Sequence, residues 1–300
     1  MDTIIIGGGI AGLLYAFYNT DCTVLTDKVG GGFSAPFQLG PKYLHKTEKT
    51  ERLLNDLNLA APVKTIKVGF YYDGKINSVN TEENRKKYFE KTRGITAEPY
   101  KSSMSEGSSE FEAYDLDLTE LVGSLEKKIA GKGALVLRKV TQVDLIDKHV
   151  VVEKENKIYF NKLVVTCPKP VFCNLIGQFD EAKQFLSYPT TFVKYPELGI
   201  AGESLNISKD FENYDYVYFS QPNFLWHRAT RIPGGFCFEY KGDESETAKK
   251  EGYEYVVLKI GQLVQRDDTI MYPDFVKFFG RYAQWKHSIK TKELVDELIR

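Results

Sequence analysis

Cysteine is scarce in this chain, with four residues in 300 and no CxxC pair, so neither a disulfide framework nor a thiolate metal site is expected. Cys22, Cys167, Cys173 and Cys237 stand apart, most among apolar neighbours, and read as free thiols of a reducing compartment. No stretch approaches the roughly 18 consecutive apolar residues of a membrane span, and no basic leader follows Met1. The expectation is a cytoplasmic protein without a membrane partner. An excess of either charge is missing too: 40 Lys and Arg stand against 41 Asp and Glu. That balance leaves no global field to attract nucleic acid, and the basic run at 85–93 reads as a solvated helix face. No metal-ligand spacing and no internal repeat is present, and the sequence carries no sign of oligomeric state.

What is present is enough apolar residue, 42%, for one large domain or two smaller ones. The β-branched run Thr3 to Ile6 precedes Gly7-Gly8-Gly9-Ile10-Ala11-Gly12, then the helical pattern Leu13, Leu14, Ala16, Phe17, then the apolar run 22–26. This is strand, glycine turn, helix, strand, the context that gives G-x-G-x-x-G its meaning. The first glycine allows a tight turn, the second lets backbone approach a pyrophosphate, and the third lets helix pack on strand. The helix amides then meet the phosphate charge, so no basic side chain is required there. Asp27, fifteen residues beyond Gly12, can accept a bond from a ribose hydroxyl, and its charge opposes a 2′-phosphate. A second cluster, Gly30-Gly31-Gly32, favours FAD over NAD.

Further along, a helix is expected over 48–59 and a hairpin over 63–80 around Asp73-Gly74. A charged helix follows at 82–93, then a Ser-, Gly- and Glu-rich loop at 102–109, a candidate hinge or lid. An amphipathic helix runs to about Ile129, ahead of strands near 134–138, 140–146, 149–153 and 157–166. A second β-rich region spans 190–240, a polar loop 242–252, a strand 253–258, and a last helix shows Leu294, Val295, Leu298 and Ile299 on one face.

The run Ile4 to Gly9, then Val24-Leu25-Thr26-Asp27-Lys28 and Gly30-Gly31-Gly32, resembles the FAD superfamily of amine oxidases, protoporphyrinogen oxidase and UDP-galactopyranose mutase. Lys139 to Val143 and Asn161 to Pro168 are similar to that superfamily's β-meander and returning strand, and the match implies that Val140 meets the adenine through its backbone. Gly280-Arg281 resembles the C-terminal Gly-Arg motif at the flavin and pyrophosphate end. Gly40-Pro41-Lys42-Tyr43-Leu44-His45, the hairpin Val68 to Lys75, and Phe224-Leu225-Trp226-His227-Arg228 with Phe238-Glu239-Tyr240 look most like the mutase. Where the mutase has tyrosines that grip the diphosphate, this chain has Trp285-Lys286-His287-Ser288-Ile289-Lys290.

The resemblance implies an α/β fold: a Rossmann-like, glutathione-reductase-like FAD-binding domain with an inserted mixed substrate domain containing a β-sheet. The expected division is 1–62, 114–170 and 253–300 for the first, 63–113 and 171–252 for the second. Cofactor-binding residues would be Gly7, Gly9, Ile10, Ala11, Gly12, Asp27, Lys28, Gly31, Gly32, Val140, Gly280 and Arg281. His45 is the candidate proton-transfer group beside the ring, and Arg228 a candidate bidentate clamp for an anionic substrate. Lys42, Lys194, Trp285, His287 and the aromatic segment 214–226 are further candidates for the site, although such an aromatic segment more often packs a sheet face. The leading functional expectation is an FAD-dependent, amine-oxidase-like oxidoreductase acting on a small molecule or a modified biomolecule. A non-redox flavin isomerase like the mutase and a non-catalytic FAD-binding protein are the alternatives.

Overall fold

The computed structural model describes residues 3–93, 109–153, 156–198, 211–264, 270–286 and 289–299. Of the sequence expectations, His287 and the loop 102–109, apart from its last residue, lie outside them. The β-branched run Ile4-Ile5-Ile6 forms the centre of a five-stranded parallel sheet, where both faces of a strand are covered. Its spatial order is Val276–Phe278, Lys162–Val165, Thr3–Gly9, Cys22–Gly30 and Leu135–Leu137. The helices Ile10–Tyr18, Leu118–Gly131 and Thr291–Leu298 pack on one face through Leu13, Leu14, Leu121, Leu125, Leu294 and Val295.

The stretch 157–166 is not one strand but two. Asn156–Tyr159 stays antiparallel to His149–Val152 in a three-stranded sheet with Val140–Asp144, whereas Lys162–Val165 joins the parallel sheet. The break falls at Phe160, whose N–H donates to the Lys148 carbonyl while its ring enters the core beneath the parallel sheet.

The second large sheet has nine strands, ordered Glu254–Leu263, Ser187–Tyr195, Gly235–Lys241, Trp226–Ile232, Tyr216–Phe219, Val63–Tyr72, Glu110–Tyr114 and Leu44–His45, with Lys75–Asn77 paired to Val63–Tyr72. The strand Val63–Tyr72 works in two halves. Residues 63–67 pair antiparallel with Glu110–Tyr114, and residues 68–71 pair parallel with Tyr216–Phe219. The expected hairpin is present, turning through Asp73 and Gly74 at φ 53° and 76°, the left-handed backbone of a tight turn.

One face of this sheet buries Val217, Phe219, Trp226, Phe238 and Tyr240 among one another, so these rings of the aromatic segment pack a sheet face, while Ser220, Gln221, Pro222 and Asn223 line a separate cavity. The opposite face is covered in two places. Tyr88 and Phe89 of the helix Glu82–Arg93 cover Ile66, Val68, Phe70 and Tyr218, and Ala35, Phe37 and Leu39 cover Phe192, Ile232 and Cys237. The segment from 31 to 43 therefore leaves the glycine turns of the parallel sheet and runs onto the second sheet, joining the two.

Two expectations are corrected. The stretch 242–252 contains a helix, Ser245–Glu251, anchored by buried Ala248 and ended by Gly252 at φ 78°, which only the charge-rich composition disguised as a loop. The boundary at 253 shifts as well, because Glu254–Leu263 pairs along Ser187–Tyr195 as an edge of the nine-stranded sheet. Among the described residues no helix is long and apolar enough to cross a membrane.

Candidate functional site

The glycine turn is shaped by atoms that side chains would displace. A β-carbon on Gly7, at φ 114°, would sit 2.7 Å from the Thr166 hydroxyl and 2.9 Å from the Cys167 amide nitrogen, and one on Gly12 would run into the Gly7 carbonyl. Thr166 fastens the turn by donating to the carbonyls of Ile6 and Gly7. Gly9 is the contrast: a β-carbon there would meet nothing within 4 Å. Gly9 is also the N-cap of Ile10–Tyr18, with no side chain bonded to the helix end and no acid in its first turn. The unpartnered amide end of the helix, at Ile10 and Ala11, thus opens onto free space.

Two other segments close on this opening. Gly31, at φ 55°, lies where its β-carbon would be 3.5 Å from the Gly9 α-carbon, and Gly280, at φ 101°, approaches Ala11 so closely that a β-carbon would come within 2.7 Å. Asp27 and Lys28 are exposed near the end of the second strand, and Val140 begins the three-stranded sheet, buried and paired with Val152. Gly7, Gly9, Gly12, Gly31 and Gly280, scattered from one end of the sequence to the other, therefore meet at the carboxyl ends of the parallel strands. Open space at a helix N-terminus, walled by glycine and free of nearby acid in the first turn, fits the pyrophosphate of a dinucleotide.

Next to this crevice, the segment 38–43 and the second sheet assemble a group of charges. Arg228 donates from Nε and Nη2 to the two carboxylate oxygens of Glu239, each bond 2.6 Å long. Glu239 is buried, and Gly40 passes so close that any β-carbon would strike its carboxylate. His227 lies 3.7 Å from the same carboxylate, and burial, reinforced by Arg228, Lys91 and Lys241, keeps its pKa well below the usual range. The fork expected to grip an anionic substrate is thus already engaged within the protein, which corrects the reading of Arg228 as a free clamp. Lys42 lies within electrostatic reach of Glu239, Cys237 and Arg281 and donates from Nζ to the Gly32 carbonyl at 2.7 Å, over the Phe33 ring.

A cavity of about 640 Å³ opens beside Lys42. Phe33, Phe37, Leu39, Tyr43 and Ile232 give it apolar walls, and Lys64, Lys194, Arg231, Asp115 and Asp215 give it charged ones. Lys64 is paired with Asp115 at 2.6 Å and Lys194 with Glu254 at 3.2 Å. The cavity is of the size and mixed character that takes a small molecule.

His45 is not in this wall. Its ring stacks on Phe111 at 4.3 Å, its carbonyl accepts from Thr50 at the start of the next helix, and burial, with Lys290 and Lys292 nearby, lowers its pKa to about 4. An imidazole so placed stays neutral near pH 7. Trp285 is a core residue, its indole N–H donating to the Val264 carbonyl and its ring packed against Phe185. Sequence reasoning passed over Glu239 as a functional group, although a lone carboxylate inside the strand Gly235–Lys241 signals that a cation must wait across the sheet. It also passed over Lys91, which reaches from a helix read as solvated to donate to the carbonyls of Phe219, Gln221 and Trp226.

Fold and crevice together define a Rossmann-like α/β architecture carrying a large mixed sheet. No family model matches the sequence, and no curated protein matches it either. Among solved structures, the chain is similar to reduced UDP-galactopyranose mutase at 12% identity and a TM-score of 0.66, over 99% of this chain and 93% of that one. It is similar to an oxidoreductase from Methanosarcina mazei at 10% identity and a TM-score of 0.62, over 100% and 99% of the two chains. Cyclohexylamine oxidase from Brevibacterium oxydans gives 11% identity, a TM-score of 0.61 and coverage of 100% and 99%. What is shared at such identities is the fold, and it is the fold that the motifs implied.

Proposed function

We propose that this protein is an FAD-dependent oxidoreductase of the amine-oxidase-like type, binding FAD in the glycine crevice and a small-molecule substrate in the adjoining cavity. The observation that carries the reading is the open helix end at Gly9, enclosed by Gly31 and Gly280 and by no acidic residue of the helix's first turn. The solved structures of similar fold include two named as oxidases of amines, cyclohexylamine oxidase and putrescine oxidase, which supports the same class.

Bound FAD would supply the capacity to accept a hydride or electrons, and the chain's part is to hold it, orient a substrate and exclude water. The backbone at Gly9, Ile10 and Ala11 would hold the pyrophosphate, Asp27 the ribose, and the segment 31–43 with Gly280 and Arg281 the flavin end. Arg228 holds the Glu239 carboxylate in one orientation against Gly40, which fixes the path of the segment 38–43. Phe33, Phe37, Leu39 and Ile232 give the cavity an apolar side against which the carbon skeleton of a substrate would pack.

The first test is the visible absorption spectrum of the purified protein, with the released cofactor identified after denaturation. FAD in the released fraction, or stoichiometric uptake of added FAD, is expected; a colourless protein that takes up none sinks the reading. Substrates are then sought by anaerobic bleaching of the bound flavin with a panel of amines. Turnover of a nucleotide sugar that needs reduced flavin yet consumes no reductant would instead establish the isomerase.

A further inference from the structure

Backbone amides were expected to meet most of the dinucleotide's negative charge, with Lys28 and Arg281 among the cofactor-binding residues, and the structure adds Lys42 near the glycine turn. Lys42 comes from ten residues beyond Gly32, crosses back over the Phe33 ring and ends at the Gly32 carbonyl, next to the glycine that touches Gly9. Its surroundings are short of negative charge. Glu239 faces it from the strand Gly235–Lys241 but is bonded through both oxygens to Arg228, Arg281 faces it from beyond Val276–Phe278, and the Cys237 thiol is pushed up by burial. Lys64, Lys194, Arg231, Asp115, Asp117 and Asp215 share the cavity wall, where Lys64 and Lys194 have carboxylates of their own. Lys42, Arg228 and Arg281 therefore stand within electrostatic reach of the Glu239 carboxylate, both of whose oxygens Arg228 occupies. A part-buried ammonium whose hydrogen-bond acceptor is a neutral carbonyl gains most from an anion that enters from outside.

We infer that Lys42 leaves the Gly32 carbonyl to neutralise an anionic group of the bound dinucleotide, either its pyrophosphate or its reduced flavin ring. This rests on the proposed FAD site and extends it to a side chain that no glycine motif requires. The lowered pKa of Lys42, about 8, owed first to burial, agrees: without the anion its charge is only weakly held. The sign follows. An arriving anion raises that pKa, so the interaction is strongest below pH 8 and weakens as pH rises above it, by at most about tenfold per pH unit.

The experiment compares the full chain with Lys42→Met and Lys42→Arg, measuring affinity for ADP and for FAD by titration calorimetry and the midpoint potential of bound FAD. If the pyrophosphate is the partner, Lys42→Met weakens ADP and FAD together by about ten- to hundredfold, the usual worth of a hydrogen bond to a charged group. If the reduced ring is the partner, ADP affinity holds and the midpoint potential of Lys42→Met moves to more negative values. In either case Lys42→Arg restores the interaction and abolishes its decline above pH 8, which a purely structural lysine would not do. Unchanged affinities and potential in Lys42→Met overturn the inference, as does a wild-type profile flat from pH 7 to 9.5. Should Lys42→Met fail to fold, the pH profile of Lys42→Arg against wild type decides alone. Failure of the wild-type chain to bind ADP or FAD would instead overturn the proposed site itself.

Discussion

The two sheets meet charge by opposite means. At the end of the parallel sheet, the crevice around Gly9 is made by leaving side chains out, and the amides already fixed at the helix end would meet an incoming anion. On the nine-stranded sheet, charge is built in: Arg228 and Glu239 lie bonded within the strands, and Lys42 and Arg281 close on them from the connecting segments. A site of the first kind tolerates no added atom at its supporting glycines. A site of the second kind tolerates no lost partner, because the remaining charge is stranded in a poorly solvated place.

The sharpest way to break this comparison is to add one methyl group in two places. Gly12→Ala drives a carbon into the Gly7 carbonyl, so FAD affinity should fall on the order of a hundredfold, about 2.8 kcal/mol, with a lower melting temperature. Gly9→Ala meets open space in the protein, so the melting temperature of the cofactor-free chain should hold while FAD affinity drops. Equal melting temperatures for the two variants would show that the crevice is not shaped as described.

Deleting one partner in the other sheet comes next. Glu239→Gln leaves Arg228 without its carboxylate and should cost about 3 kcal/mol in urea unfolding, whereas pairing Arg228→Met with Glu239→Leu should recover most of it. A single variant as stable as wild type would contradict a buried, obligatory pair. A smaller effect tests Lys91, whose pKa burial lowers from 10.5 to about 7. Between those values the unfolded chain holds more protons at this site, so Lys91 makes stability rise with pH across that window. Urea titrations of Lys91→Met from pH 7 to 10 should show a flatter rise than wild type. Smallest of all, Asp115→Asn removes a part-exposed partner of Lys64 and should change stability by less than about 1 kcal/mol.

What the sequence showed and what it hid divide along the same line. Gly7, Gly9, Gly12 and Asp27 lie within one strand-turn-helix-strand unit, so spacing alone made them legible. Gly280 was legible only through resemblance, since nothing local says that it will press on Ala11. The meeting of Lys42 with Glu239 spans nearly 200 residues and depends on the segment 31–43 crossing between sheets, which no periodicity encodes. His45 and Trp285 misled for a related reason. Each stands beside a matched motif, but the His45 ring stacks on Phe111 and the Trp285 indole is buried and bonded to the Val264 carbonyl, contacts that no local pattern announces. In the stretch 242–252, charge density concealed a short helix because one buried alanine suffices to anchor it.

The order of the strands in the parallel sheet also governs when the crevice comes into being. Thr3–Gly9 and its glycine turn are made long before their neighbour Lys162–Val165, which follows more than 150 residues later, and Val276–Phe278 with Gly280 comes later still. The second sheet is no quicker, since Val63–Tyr72 waits for Tyr216–Phe219 to cover half of one edge. Until Lys162–Val165 is made, the nascent strand Thr3–Gly9 has only one of its two partners, Cys22–Gly30, and loop closure over such separations is slow. The crevice proposed to hold a dinucleotide is therefore complete only once Gly280 is made, and exposure to chaperones and to aggregation is greatest before then.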